Sequence, residues 1–284
     1  MVSEFSPCFM QDFGRNCDFK LIQEGWFEED DVVLELYSGE RYYSPEVQKL
    51  IADAWQEARL DPNQNLYNGV VLSMIANSSV GNTLRVQCMH TDYKSFYGTN
   101  VCNYAEIGDP IQCANALAVC AVVESRDGNI LIGRRSGKVA ESKGLWHVPG
   151  GTLEVSPELE RHANAIKLRS KYLLNPFRQM EQELEEEFGI VVGDISFSVC
   201  LALAENILIG KPEFLCYFHL NIDSSEMSKR IETAKCREEH EEILHLPLEE
   251  IESFVQSYPV APIGKAALYC YLNYLQSNHP SSCR

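Results

Sequence analysis

No C-x-x-C pair and no Cys/His cluster at zinc-finger spacing occurs in the 284 residues, although eleven of them are cysteine. A zinc ribbon is thereby excluded. The odd number, and the placement of Cys120, Cys200 and Cys216 beside apolar neighbours, argue against a disulfide framework. These thiols read as reduced, buried small hydrophobes. Long apolar runs are missing too, since the most apolar stretch, residues 113–123, is too short to span a bilayer. The first twenty residues carry early acids and have no apolar h-region, which speaks against a secretory signal. There is no internal repeat and no low-complexity tract. Positive charge is scarce: 24 Lys and Arg stand against 41 Asp and Glu, a formal net charge of −17. That balance disfavours nucleic acid and anionic membrane as partners. It permits a small phosphorylated substrate wherever a cationic pocket or a bound metal reverses the local sign. A cytoplasmic protein is expected, with nuclear access left open, as a monomer or weak homodimer.

What is present reads as two blocks. Residues 1–112 are expected to form an N-terminal α/β domain that contributes to nucleotide recognition. Within it, residues 31–37 are a strand, and Ser44 caps a helix with Pro45 at its first position. Val47, Leu50, Ile51, Ala54, Trp55 and Ala58 recur at helical spacing and make one apolar face. Strands follow at 70–75 and 83–90, then a loop over 92–100. Residues 113–284 open with a strand at 117–124, the hairpin signal Asp127-Gly128 and a return strand at 129–135. A short strand at 145–148 is stopped by Pro149-Gly150-Gly151. An insertion is expected at about 155–177, then a helix over 179–188 ended by Gly189. Strands at about 190–203 and 213–222 precede a last helix opened by Pro262, with Leu268, Leu272 and Leu275 on one face. This order predicts an α+β protein: an α/β/α sandwich around a mixed sheet, with an N-terminal β-rich α/β extension.

The acidic helix carries the chemistry. Glu183 and Glu187 are i, i+4 neighbours and Glu186 is i+3 from Glu183, so the three carboxylates share one side while Leu184 and Phe188 anchor the other. Such like charges repel, and no cation sits at an offsetting spacing. A solvated acidic face is the bland interpretation. A site for a hard divalent cation is the sharper one, because Mg²⁺ takes oxygen ligands and keeps several waters beside one or two carboxylates. Pro149-Gly150-Gly151 favours the second, since a glycine pair lets the backbone approach a metal or phosphate with a carbonyl available as ligand.

These residues resemble the Nudix box, Gly-x5-Glu-x7-Arg-Glu-U-x-Glu-Glu-x-Gly-U with U a bulky aliphatic. Its first half is matched by Leu145-Trp146-His147-Val148-Pro149-Gly150-Gly151. Its second half is matched by Glu183-Leu184, Glu186-Glu187 and Gly189-Ile190. Three departures stand out. The interval is longer than the family's by about 17 residues, Pro157 takes the place of the loop Glu with Glu158 next to it, and Gln182 replaces the box Arg. In the family that Arg helps to hold the helix carboxylates.

The chain resembles a divergent branch, the UDP-sugar (UDP-glucose/UDP-galactose) hydrolases. Besides Gln182 and the expanded box, the strings Tyr93-Lys94-Ser95-Phe96-Tyr97-Gly98-Thr99-Asn100 and Arg134-Arg135-Ser136-Gly137-Lys138-Val139-Ala140-Glu141 fit that branch. So do Glu213-Phe214 and Pro262-Ile263-Gly264-Lys265-Ala266-Ala267, and the similarity runs from about residue 33 to 275. The resemblance implies a nucleotide-sugar diphosphatase that needs Mg²⁺, with Mn²⁺ as a substitute, and yields UMP and sugar 1-phosphate. Glu183 and Glu187 with Gly151 would hold the metal. Glu186 would be a third ligand or the base, with Glu213 and Glu241 as other candidate bases. Arg134 and Arg135 face opposite sides of a strand, so one of them is expected at the phosphates. Tyr93, Phe96 and Tyr97 are candidates to stack on the uracil, and Thr99 and Asn100 to hydrogen-bond it; core packing and turn chemistry are the alternatives. Glu213 either reaches the metal site or is a strand-end charge. The competing functions are a Nudix hydrolase of another nucleoside diphosphate derivative, such as an ADP-sugar, and a non-catalytic nucleotide-binding module.

Overall fold

The computed structural model describes residues 18–61, 66–155 and 174–278. In chain order the strands are β1 (Phe19–Phe27), β2 (Val32–Glu40), β3 (Val70–Val80), β4 (Thr83–Asp92), β5 (Ala118–Glu124), β6 (Asn129–Arg135), β7 (Trp146–His147), β8 (Gly150–Thr152), β9 (Ile195–Asn206), β10 (Lys211–Leu220) and β11 (His240–Pro247). The main α-helices are α1 (Pro45–Ala58), α2 (Tyr93–Phe96), α3 (Cys102–Ile107), α4 (Pro176–Phe188), α5 (Ser224–Ile231), α6 (Ile251–Ser257) and α7 (Pro262–Asn278). A larger sheet runs β1-β9-β10-β5-β6-β11, with β7 paired to β6 and β8 to β5, and a smaller one runs β2-β4-β3. β10 and β5 are parallel while most other neighbours are antiparallel, so the sheet is mixed.

Strand β5 shows how the layers arise. Successive side chains leave opposite faces of a strand. Val119, Ala121 and Val123 enter a core with Phe177, Met180, Leu184 and Phe188 of α4, all fully buried. Cys120 and Val122 enter a second core on the other face, with Ala267, Leu268, Tyr271 and Leu272 of α7. Each such side chain contributes about 1.5–3 kcal/mol relative to an exposed one. A strand apolar on both faces must be central, and two helices cover it: the expected α/β/α sandwich in an α+β chain. Cys120, Cys200 and Cys216 are buried free thiols, as read.

Four details differ from the expectation. β1 was not foreseen, and it pairs with β9 at the edge of the larger sheet, so the N-terminal block contributes a strand to that sheet. The smaller sheet shares the α4-side core through Leu34, Leu72, Leu84 and Val86. The stretch 92–100 is helical, not a loop. The Asp92 side chain accepts from Ser95 N to start α2, and a π-turn (Tyr97–Val101) leads into α3. Helix α4 begins at Pro176 rather than 179, because the Asn175 side chain accepts from Phe177 N at 2.8 Å and Pro176 supplies the first helical residue. It ends where Gly189 takes φ +67°, as its position predicts. Lastly, Gly150 and Gly151 do more than stop a strand: they pair with β5 as β8. The insertion residues Arg161, Lys167, Arg169 and Lys171, with Pro157 and Glu158, lie outside the described residues.

Candidate active site

The hairpin of β5 and β6 splays after the pair Glu124–Ile130, and β8 and β7 fill the opening from the two sides. Helix α4 crosses beside β8. There a cavity of about 520 Å³ opens, lined on one side by Gly150, Gly151, Glu183 and Glu187 and on another by Lys211 and Glu213 of β10. Leu66, Tyr67 and Tyr93 complete it from the N-terminal block. Among the described residues, seven acidic side chains line it (Glu141, Glu154, Glu183, Glu187, Glu213, Glu238 and Glu239) against three cations, Arg135, Lys138 and Lys211.

Gly151 is required by contact. A Cβ there would lie 2.0 Å from Glu183 Oε1, so the bare backbone lets the carboxylate sit against β8. Gln179 Nε2 donates to that oxygen at 2.8 Å, while its own Oε1 accepts from Glu154 N at 3.3 Å. One turn on, Glu187 is 4% exposed and its Oε2 lies 2.8 Å from His240 Nε2. Both carboxyls are pushed up to about 8: Glu183 by burial and then by Glu187, Glu187 by burial and then by Glu239. A buried pair in which each charge is costly, and which no described lysine or arginine contacts as an ion pair, fits a hard divalent ion. Among the described residues no three His, Cys, Asp or Glu side chains form a complete metal cage. Mg²⁺ does not need one, because one or two carboxylates suffice and water or phosphate oxygens complete its shell. Glu183, Glu187 and the Gly151 carbonyl are the donors available.

The second acidic group is compensated. Lys211 Nζ lies 3.0 Å from both oxygens of Glu141 and 3.6 Å from Glu213, with all three side chains largely buried. Burial alone would pull the Lys211 ammonium down, but Glu141 and Glu213 carry it above its ordinary value. Burial raises Glu213 against the opposing pull of Lys211. The ammonium also stands over the Phe96 ring, 5.4 Å from its centroid. Arg135 donates through Nε to Glu141 O at 3.1 Å and acts electrostatically on both Glu187 and Glu213, which places it between the two groups. His147 also lines the cavity. Its Nδ1 donates to Val148 O at 2.6 Å, and burial, then Arg135, pushes its imidazole down to about 3, so it is a neutral strand residue there.

Of the residues picked from sequence, Gly151, Glu183, Glu187, Tyr93, Arg135 and Glu213 meet at this cavity. Glu186 does not line it. Its carboxylate lies beside Lys235 at 3.7 Å and Gln182 at 3.4 Å on the outer flank of α4, because i+3 places it off the line joining Glu183 and Glu187. Arg134 leaves the other side of β6 and pairs with Glu241 at 3.0 Å and Glu242 at 3.4 Å. Phe96 and Tyr97 are interior, Tyr97 against Trp55. Thr99 and Asn100 are fully buried. Thr99 Oγ1 accepts from Ala114 N, and Asn100 donates to Ile209 O at 2.7 Å and accepts from Asn115 N. They fasten the helical segment to the strands, which is the packing alternative. Lys211, Glu239 and His240 were missed. Glu141 was quoted for its string but given no role.

No family model matches the chain. A curated relative, Nudix hydrolase 9 of Arabidopsis thaliana, is 25% identical over 249 residues, which cover 79% of this chain and 80% of that protein. Among solved structures, a MutT protein from Methanosarcina mazei Go1 overlaps 58% of this chain and 96% of its own at 21% identity and a TM-score of 0.36. A NUDIX family hydrolase from Clostridium perfringens overlaps 57% and 98% at 10% identity and a TM-score of 0.31. Structural overlaps of that size add no weight. The two halves of the box, brought to one cavity by β8 and α4, and the relative that shares most of the chain's length point the same way: the chain is similar to the Nudix hydrolases.

Proposed function

We propose that this chain hydrolyses the diphosphate bond of UDP-sugars, UDP-glucose and UDP-galactose, to UMP and sugar 1-phosphate in a Mg²⁺-dependent reaction. The observation that carries the proposal is the charge of the cavity. Among the described residues its lining is mostly acidic and would disfavour a bare diphosphate, so an anionic substrate is expected to enter with a divalent cation at Glu183 and Glu187. A cation held there would neutralise charge on the anhydride and lower the pKa of a water. Arg135, between the acidic groups, is placed to take the phosphate oxygens. Glu239, which acts on Glu187 and lines the cavity, joins Glu213 as a candidate base; the placements of Glu186 and Glu241 remove support from them. The salt-linked Glu141–Lys211–Glu213 wall offers buried acceptors and a donor suited to sugar hydroxyls. Tyr93 and Tyr67 supply the aromatic surface against which a base can stack. This assigns the N-terminal block, residues 1–112, a share in nucleotide recognition, with 113–284 as the hydrolase part.

One observation favours a broader reading. Thr99 and Asn100 are spent on backbone groups, so neither is free to select uracil, which keeps other nucleoside diphosphate derivatives as substrates to test. Purified protein is incubated separately with UDP-glucose, ADP-ribose and dGTP, with Mg²⁺ or EDTA. Release of UMP from UDP-glucose that EDTA abolishes is the expected result. Cleavage of ADP-ribose or dGTP instead would overturn the substrate. Absence of turnover while UDP-glucose raises the melting temperature would mark a binding module.

A further inference from the structure

Gln182 stands where the superfamily's box has Arg, and its amide reaches Glu186 at 3.4 Å on the outer flank of α4. The residues that reach the inner carboxylates come from elsewhere. His240, the first residue of β11, places Nε2 2.8 Å from Glu187 Oε2, with 2% and 5% of the two side chains exposed. Its ring lies against Phe188 at 5.0 Å. It occupies space that only a glycine at 133 leaves open, since a Cβ on Gly133 would lie 2.4 Å from His240 Nδ1. That Nδ1 is buried and has no hydrogen-bond partner among the described residues. A neutral imidazole carries one proton, and a buried N–H without an acceptor is costly. The proton therefore belongs on Nε2, which donates to the Glu187 carboxylate.

We propose that His240 is the positioning residue for Glu187, a neutral N–H from β11 that does the orienting work of the absent box Arg. Its bond engages one carboxylate oxygen and leaves the other for the cation. Gln179 holds Glu183 in the same manner, its amide fixed in turn by Glu154 N. An uncharged donor orients without neutralising, so the pair keeps its full attraction for a divalent ion. A guanidinium would compete with that ion for the same charge.

The inference rests on the metal reading of α4, and the test separates the two. Mn²⁺ binding is followed by loss of the free-ion EPR signal in wild type, Glu187→Gln, His240→Leu, His240→Gln and His240→Asn. Glutamine can place its amide nitrogen near the position of Nε2, and asparagine falls short of it. We expect wild type to bind Mn²⁺, His240→Leu and His240→Asn to bind about tenfold more weakly, and His240→Gln to recover most of the loss. If His240→Leu does not fold, the Gln and Asn variants decide. Equal affinity in Leu and wild type, or Gln no better than Asn, overturns the positioning role. Failure of wild type itself to bind overturns the metal reading, and the inference with it.

Discussion

Glu141 and Glu213 share the ammonium of Lys211, whereas Glu183 and Glu187, in the same cavity, meet donors that carry no full positive charge. The first pair is complete within the chain. Its cation comes from β10, its acids from the β6–β7 connection and from β10, and the three can be buried because their charges largely cancel. The second pair is complete in hydrogen bonds but not in charge. Burial has thus been made tolerable in two ways, and only one of them leaves an open demand for a cation. The comparison teaches that acidic residues in one cavity can be told apart by what neutralises them, a resident lysine in one case and only neutral donors in the other.

The largest effect that could break this comparison is on turnover. Glu187→Gln should lower UDP-glucose hydrolysis by more than about 100-fold, since loss of a direct ligand exceeds the 10–100-fold typical of outer-shell changes. Above a pH of about 8, where both carboxyls ionise, the same substitution should raise the metal-free melting temperature, because it removes a buried like charge. A lowered melting temperature would put Glu187 with the compensated group. Next, Lys211→Met strands two buried carboxylates and should cost about 3–5 kcal/mol in urea unfolding; a cost below about 1 kcal/mol would show that the Glu141–Lys211–Glu213 cluster is not held by its charge.

A pH series sharpens the contrast. A carboxyl raised in the folded state holds a proton that the unfolded chain releases, so its stabilisation is full below the unfolded value of 4.5 and is lost as pH rises toward about 8. His147, pushed down to about 3, acts with the opposite sign and only below 6.5. Between pH 6.5 and 8, metal-free protein should therefore lose stability as pH rises. Saturating Mg²⁺, or the Glu183→Gln/Glu187→Gln double variant, should flatten that slope; a slope unchanged by either refutes the assignment. The smallest effect belongs to Arg134. Arg135→Ala should impair turnover, whereas Arg134→Ala, which breaks half-exposed pairs to Glu241 and Glu242, should leave turnover near wild type and move stability by less than about 1 kcal/mol.

Much of this was legible where the signal is local. The carboxylates of α4, its Gly189 stop and the Pro149-Gly150-Gly151 turn are short-range patterns, and they marked the end of the cavity where we propose the metal. The start of α4 was hidden because Asn175-Pro176 fell inside what read as an insertion. The helical run after Asp92 was misread because Gly98, Thr99 and Asn100 look like turn residues, and what holds them helical is distant: Asn100 reaches Ile209, and Thr99 reaches Ala114. Lys211 and Glu141 are 70 residues apart, and His240 is 53 from Glu187. No periodicity connects such pairs. Glu186 and Arg134 show the reverse limit, since helix and strand geometry put them near the site but a shift of one position turned each away from it.

The place of β1 has a practical corollary. It closes one margin of the larger sheet by covering the outer hydrogen-bonding edge of β9, from Phe19 opposite Asn206 to Phe27 opposite Cys200. A shortened chain that starts at residue 113 would bare that edge together with the apolar side chains the smaller sheet now shelters. Unpaired strand edges template intermolecular pairing. A chain shortened in this way should self-associate through β9, and light scattering of it would show this.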